Sequence, residues 1–112
     1  MDMRTETIRP GVVTVVLVGR LDVMGAGKID LQFNAIAGSR RGVIVDMAGV
    51  EFLASMGIRT LLIGAKTMQR RGGSLVLVAP QPEVMKVLEV TGVLDLLPIA
   101  ASHDEASGLV GH

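Results

Sequence analysis

Three runs of β-branched and aliphatic residues stand out along the chain: Val12 to Val18, Val43 to Met47 and Leu75 to Val78. Between them the apolar positions recur at three- and four-residue spacing, the period of a helix with one buried face. Arg4 to Arg9 alternates polar residues ahead of Pro10-Gly11, a strong turn signal, so it reads as a polar edge strand. With the buried strand Val12 to Gly19 it predicts an opening hairpin. Arg20-Leu21-Asp22 leads out of that strand, and Gly25 and Gly27 loosen the approach to a helix over Lys28 to Ala37. Ile29, Phe33 and Ile36 share one face of that helix, and Gly38 closes it. The second buried strand, Val43 to Met47, breaks at Ala48-Gly49 into a short loop. A central helix then runs from Ser55 to about Arg71, with Ile58, Leu61, Leu62, Ala65 and Met68 as its core stripe. Gly72-Gly73 stops it.

Ser74 to Val78 is a third apolar strand, ended by Ala79-Pro80. Pro82 suits the first turn of the next helix, where a missing N–H costs nothing. That helix carries Val84, Val87, Leu88 and Thr91 inward and ends at Gly92. Leu94 to Ile99 reads as a short last strand. A final helix begins at Ser102 or His103, but Gly108 and Gly111 weaken it and leave 104–112 as a candidate disordered tail. Strands alternating with helices after a hairpin predict an α/β fold in one domain, residues 1–112. Its mixed, mostly parallel sheet has four to five strands covered by three to four helices.

Composition narrows the function. Hydrophobic residues make up 49% of the 112, enough for a core and against disorder. Eleven basic and eleven acidic residues cancel, and aromatics are only 2%. A nucleic-acid partner held by a global field or by stacked bases is therefore not expected. The absence of cysteine excludes disulfides and thiolate metal sites and fits the cytoplasm. No apolar run approaches the ~20 residues that span a bilayer, so membrane insertion is not expected. The N-terminus lacks the apolar segment of a signal peptide.

Catalytic motifs are missing too. A nucleophile elbow at Ser55 would need glycine at position 53, which is Leu53. The two histidines, His103 and His112, lie near the C-terminus, away from any triad or metal set. There is no phosphate-binding loop, and Gly25-Ala26-Gly27 lacks the third glycine of a dinucleotide turn. The expectation is a binding protein without cofactor, not an enzyme. A strand, a loop and a hydroxyl at the mouth of a helix make a place where a partner can read a small chemical change.

The stretch Val45-Asp46-Met47-Ala48-Gly49-Val50-Glu51-Phe52-Leu53-Ala54-Ser55-Met56-Gly57-Ile58 resembles the signature of STAS domains, in particular the bacterial anti-sigma factor antagonists. Gly19-Arg20-Leu21-Asp22, Gly72-Gly73-Ser74-Leu75-Val76-Leu77-Val78 and Leu88-Glu89-Val90-Thr91-Gly92-Val93 are similar to further family elements, in register over roughly residues 5–100. The resemblance implies a partner that is a serine-kinase anti-sigma factor, bound by the unmodified form so that sigma factor is released. It implies phosphorylation of a helix-start serine, by position Ser55, which ends binding, with a phosphatase as a further candidate partner. Two positions depart from the family: Ala54 stands where it has Asp, and Met56 where it has a second Ser. The alternative within the family is a constitutive, non-phosphorylated module that partners a transporter or another signalling complex.

The residues themselves support a surface of that kind. Ser55 is placed as the N-cap of the central helix; most serines so placed are caps and nothing more. A phosphate there would sit at the positive end of the helix dipole, with Arg59 four residues on and able to reach back. The outward face is expected to carry Met56, Arg59, Ile63, Lys66 and Arg70, a mixture of apolar and basic side chains that suits a protein interface. Contact of Ile63 with a neighbouring loop is the plainer alternative. Asp22 stands where the family places a partner-contacting carboxylate; capping a turn or the next helix is the other reading. Asp46 is expected to fix the loop that follows it. The candidate partner-binding set is Asp22, Ala54, Ser55, Met56, Arg59, Ile63 and Lys66.

Overall fold

The computed structural model describes residues 1–110. Within them the order is β1 (Asp2–Arg9), β2 (Val12–Leu21), α1 (Val23–Ala37), β3 (Gly42–Leu53), α2 (Ser55–Arg70), β4 (Ser74–Val78), α3 (Pro82–Val90), β5 (Ile99–Ala100) and α4 (His103–Leu109). The strands lie side by side in chain order, β1 antiparallel to β2 and the others parallel. This is the mixed, mostly parallel sheet with an opening hairpin that the alternation of runs predicts.

Period-two burial splits the apolar residues of the strands between two faces. Val13, Val15, Leu17, Val43, Val45, Leu75 and Leu77 pack with Phe33 of α1, Leu61 and Met68 of α2, and Val84 and Leu88 of α3. On the opposite face Val12, Ile44, Val76 and Val78 pack with Ala100 and with Ala106 and Val110 at α4. α4 is tied down at both ends. His103 Nε2 is 3.0 Å from Asp46 Oδ2, and Arg9 donates to Ser107 Oγ and to the Ser107 and Val110 carbonyls, each at 2.7 Å. The candidate disordered tail thus forms a helix within the described residues, capped by Ser102; its last part and His112 lie outside them.

Several element boundaries, and the orientation of Thr91, differ from the sequence expectation. α1 begins at Val23, five residues before Lys28, because the Asp22 carboxylate accepts the Gly25 amide at 2.9 Å and starts the helix there. Gly25 does not loosen this segment. A Cβ on it would stand 2.0 Å from the Arg20 carbonyl oxygen, so glycine permits the close approach. β3 does not stop at Met47 but continues to Leu53, keeping its pairing with β2 through register shifts beside Gly49. The strand expected over Leu94 to Ile99 is instead a turn, with Leu96 and Leu97 amides on the Val93 carbonyl. Leu97 is thereby driven into the core, and only Ile99–Ala100 pair with β4. Thr91, expected inward, is exposed at the end of α3, its hydroxyl on the Val87 carbonyl.

Candidate functional site

The carboxyl ends of β2 and β3 are neighbours, with Leu21 opposite Leu53. Each strand leads straight into a helix, so the N-termini of α1 and α2 emerge together. Two contacts hold them there. The Ala54 amide donates to the Leu21 carbonyl at 3.1 Å. Gly57 lies so close to the same carbonyl that a Cβ would be 2.3 Å from its oxygen. One helical turn further along, Thr60 is buried, with its Oγ1 2.6 Å from Asp30 Oδ1 and 3.1 Å from the Met56 carbonyl. Next comes Gly64 against the ring of Phe33, where a Cβ would approach to 2.6 Å. Small residues at 57 and 64 let α2 pack tightly on β2 and α1, and this packing fixes where Ser55 points.

Ser55 is not the N-cap. Ala54 is extended and its carbonyl accepts the first intrahelical bond from Ile58 at 3.0 Å, which makes Ala54 the cap and Ser55 the first helical residue. An alanine cap offers no side-chain oxygen, and α2 has no acidic residue in its first turn. The amides of Ser55, Met56 and Gly57 therefore precede the first intrahelical donor with no side chain to satisfy them. Ser55 is exposed, and its hydroxyl makes no hydrogen bond among the described residues.

Asp22 does cap its helix. The Gly25 amide is the main influence that holds its carboxyl below the usual carboxylate range, and the Arg20 guanidinium, Nε 3.4 Å from Oδ2, adds to it. Arg20 also lies over the Phe52 ring, 4.2 Å from its centroid, which links β2 to β3 at the rim of the site. This pair is not among the residues expected from sequence; the two lie on separate strands, and only the parallel register brings them together. Val23 and Met24 are also new, 65% and 75% exposed beside the Ser55 end. Their phase gives them away: they lie off the buried stripe of Ala26, Ile29 and Phe33.

Arg59, Ile63 and Lys66 follow Ser55 along the exposed face of α2, with Ile63 41% exposed. Met56 departs from expectation: it is half-buried rather than fully outward. The structure thus sets Asp22, Ala54, Ser55 and Met56 at one end and spreads the other three along one helix. The nearest hollow, lined by Glu51, Phe52, Leu53, Glu83, Val84 and Val87, has about 130 Å³, small for a metabolite site. The exposed surface is partly apolar and partly basic.

The STAS domain family model matches residues 4–106. The chain belongs to the STAS domain family. A protein of Bordetella bronchiseptica named as an anti-sigma factor antagonist, BtrV, is 29% identical over 98 residues, covering 87% of this chain and 84% of its own length. The anti-sigma factor antagonist SpoIIAA has the same fold in its unphosphorylated form, with a TM-score of 0.81 and 20% identity over 96% of both chains. Its phosphorylated form also superposes, with a TM-score of 0.75 and 19% identity, over 96% of this chain and 99% of that one. A murine anion transporter, solute carrier 26 family member A9, contains a similar fold, with a TM-score of 0.74 and 22% identity over 88% of this chain but 17% of the transporter. Among the described residues no helix is long and apolar enough to cross a membrane.

Proposed function

We propose that this STAS domain antagonises an anti-sigma factor, binding it with the Ser55 end of α2 in a manner that phosphorylation of Ser55 terminates. The unmodified chain docks a serine-kinase anti-sigma factor, whose held sigma factor is then released. The observation that carries the reading is the exposed, unbonded Ser55 hydroxyl at a helix start whose cap, Ala54, supplies no oxygen. A phosphate there adds a charge of about −1.5 to −2 and finds open amides and the positive end of the dipole. The fold absorbs it. The partner does not, because docking on Val23, Met24 and Ser55 would bury the new charge against apolar surface.

The names of the similar proteins support antagonism, and the superposition on both forms of SpoIIAA supports a fold that persists with phosphate in place. Calorimetric titration with a purified anti-sigma factor tests the reading. Ser55→Asp weakens binding on the order of 100-fold, and Ser55→Ala binds like the wild type with an unchanged melting temperature. An aspartate variant that binds as tightly as wild type contradicts it.

A second reading has its own support. Ala54 and Met56 remove the acidic and the second hydroxyl neighbours of Ser55, and the fold also occurs inside an anion transporter. A constitutive STAS module that is never phosphorylated accounts for both. It predicts that Ser55→Asp and Ser55→Ala behave alike.

A further inference from the structure

The sheet is lopsided at its edges. β5 is two residues long, whereas β1 presents eight and borders only β2 in the strand order. Among the described residues no helix is laid along β1; Arg9, at its end, reaches α4. Its outer row of N–H and C=O groups is a template for another strand. Positions 4 to 7 are exposed, and Arg4 and Glu6 make no ion pair or side-chain hydrogen bond among the described residues.

Which strand fits follows from parity and charge. In an antiparallel ladder, a residue whose backbone groups point outward must stand opposite another such residue. For two copies of β1 related by a two-fold axis, the paired residue numbers therefore sum to an even value. Centring the axis on Arg4 sets Arg4 against Arg4 and Glu6 against Asp2. Centring it on Glu6 sets Glu6 against Glu6. Parallel copies in register oppose like with like throughout. Centring it on Thr5 sets Arg4 against Glu6 twice, with Met3 opposite Thr7 and Thr5 opposite itself. Opposite charges directly across a ladder stabilise it, and like charges do the reverse.

We propose that this chain forms a two-fold dimer through the free edge of β1, in the antiparallel register centred on Thr5. The five residues from Met3 to Thr7 carry it, and the register shift between Thr7 and Arg9 ends it. Arg4 opposes Val16 and Asp2 opposes Val18, so the Arg4–Glu6 pairs form over the sheet face that α4 leaves open. There Val18 is 47% exposed, and a groove of about 240 Å³ runs between Asp2, Met3, Arg4, Val16 and Val18. The partner's Glu6 closes that groove. With no long edge on the far side, pairing stops at two copies instead of growing into a fibre. The axis also points the two Ser55 ends in opposite directions, so each copy keeps its own docking end. The dimer does not depend on the function proposed for those ends.

Sedimentation velocity of the full chain over a dilution series tests this. The wild type shows a reversible monomer–dimer equilibrium. Arg4→Glu and Glu6→Arg each weaken it at least tenfold, since each opposes like charges in the Thr5-centred register. Mixing the two variants restores dimers, because one chain then carries carboxylates at both positions and the other carries guanidinium groups at both. Unchanged circular dichroism of each variant confirms that both are folded. A wild type that stays monomeric at every concentration overturns the proposal and leaves the edge to a foreign strand. Single variants that dimerise like wild type, or a mixture that stays monomeric, overturn it as well.

Discussion

The first two helices leave the same end of the sheet and finish their N-termini in opposite ways. α1 has Asp22, whose carboxylate takes the Gly25 amide and is steadied by Arg20. α2 has Ala54, which takes nothing, and its first side chain is the exposed Ser55. The first helix is complete as folded. The second keeps an anion-friendly end open beside the apolar pair Val23 and Met24. Side-chain capping is thus given up at a helix start whose dipole would favour a phosphate on Ser55.

The largest effect is expected where α2 is pushed off its seat. Gly57→Ala sets a methyl 2.3 Å from the Leu21 carbonyl oxygen, a backbone atom that cannot swing aside. Chemical denaturation is expected to show a loss of about 3 kcal/mol, the upper range for overpacking, together with weakened partner binding as Ser55 shifts. A smaller effect sharpens the contrast from the α1 side. Asp22→Ala removes a cap and lowers the melting temperature by a few degrees. Because the Asp22 carboxyl is held below its usual range, its contribution is present above about pH 4 and is lost as the pH falls through the lowered value. The pH dependence of the wild type in that window is therefore steeper than that of the alanine variant. The smallest change closes the open end: Ala54→Asp supplies the missing cap and raises stability by about 1 kcal/mol or less.

Much of this was legible in the chain itself. β-branched runs located β2, β3 and β4, and three- and four-residue spacing located α1, α2 and α3. The end of β3 was hidden because Ala48-Gly49 has the composition of a break; in the sheet it is an irregularity that parallel pairing with β2 carries through to Leu53. Leu94 to Ile99 misled for the opposite reason: its aliphatic content reads as a strand, yet it curls so that Leu97 is buried. At the site, residue type pointed to Ser55 but not to its position. A serine at a helix start reads as the cap, and the hydrogen bond from Ile58 to Ala54 moves the cap back by one. Arg20 over Phe52, and Thr60 on Asp30, join chain segments far apart in sequence and carry no local signal.

The proposed phosphorylation of Ser55 would act on binding, not on folding. Incubating the chain with a serine-kinase anti-sigma factor and ATP, followed by peptide mass spectrometry and a binding titration of the product, tests both halves. The expected result is one phosphate, on Ser55, a melting temperature no lower than that of the unmodified chain, and loss of kinase binding. An unmodified Ser55, or a phosphorylated chain that binds as tightly as before, would contradict it.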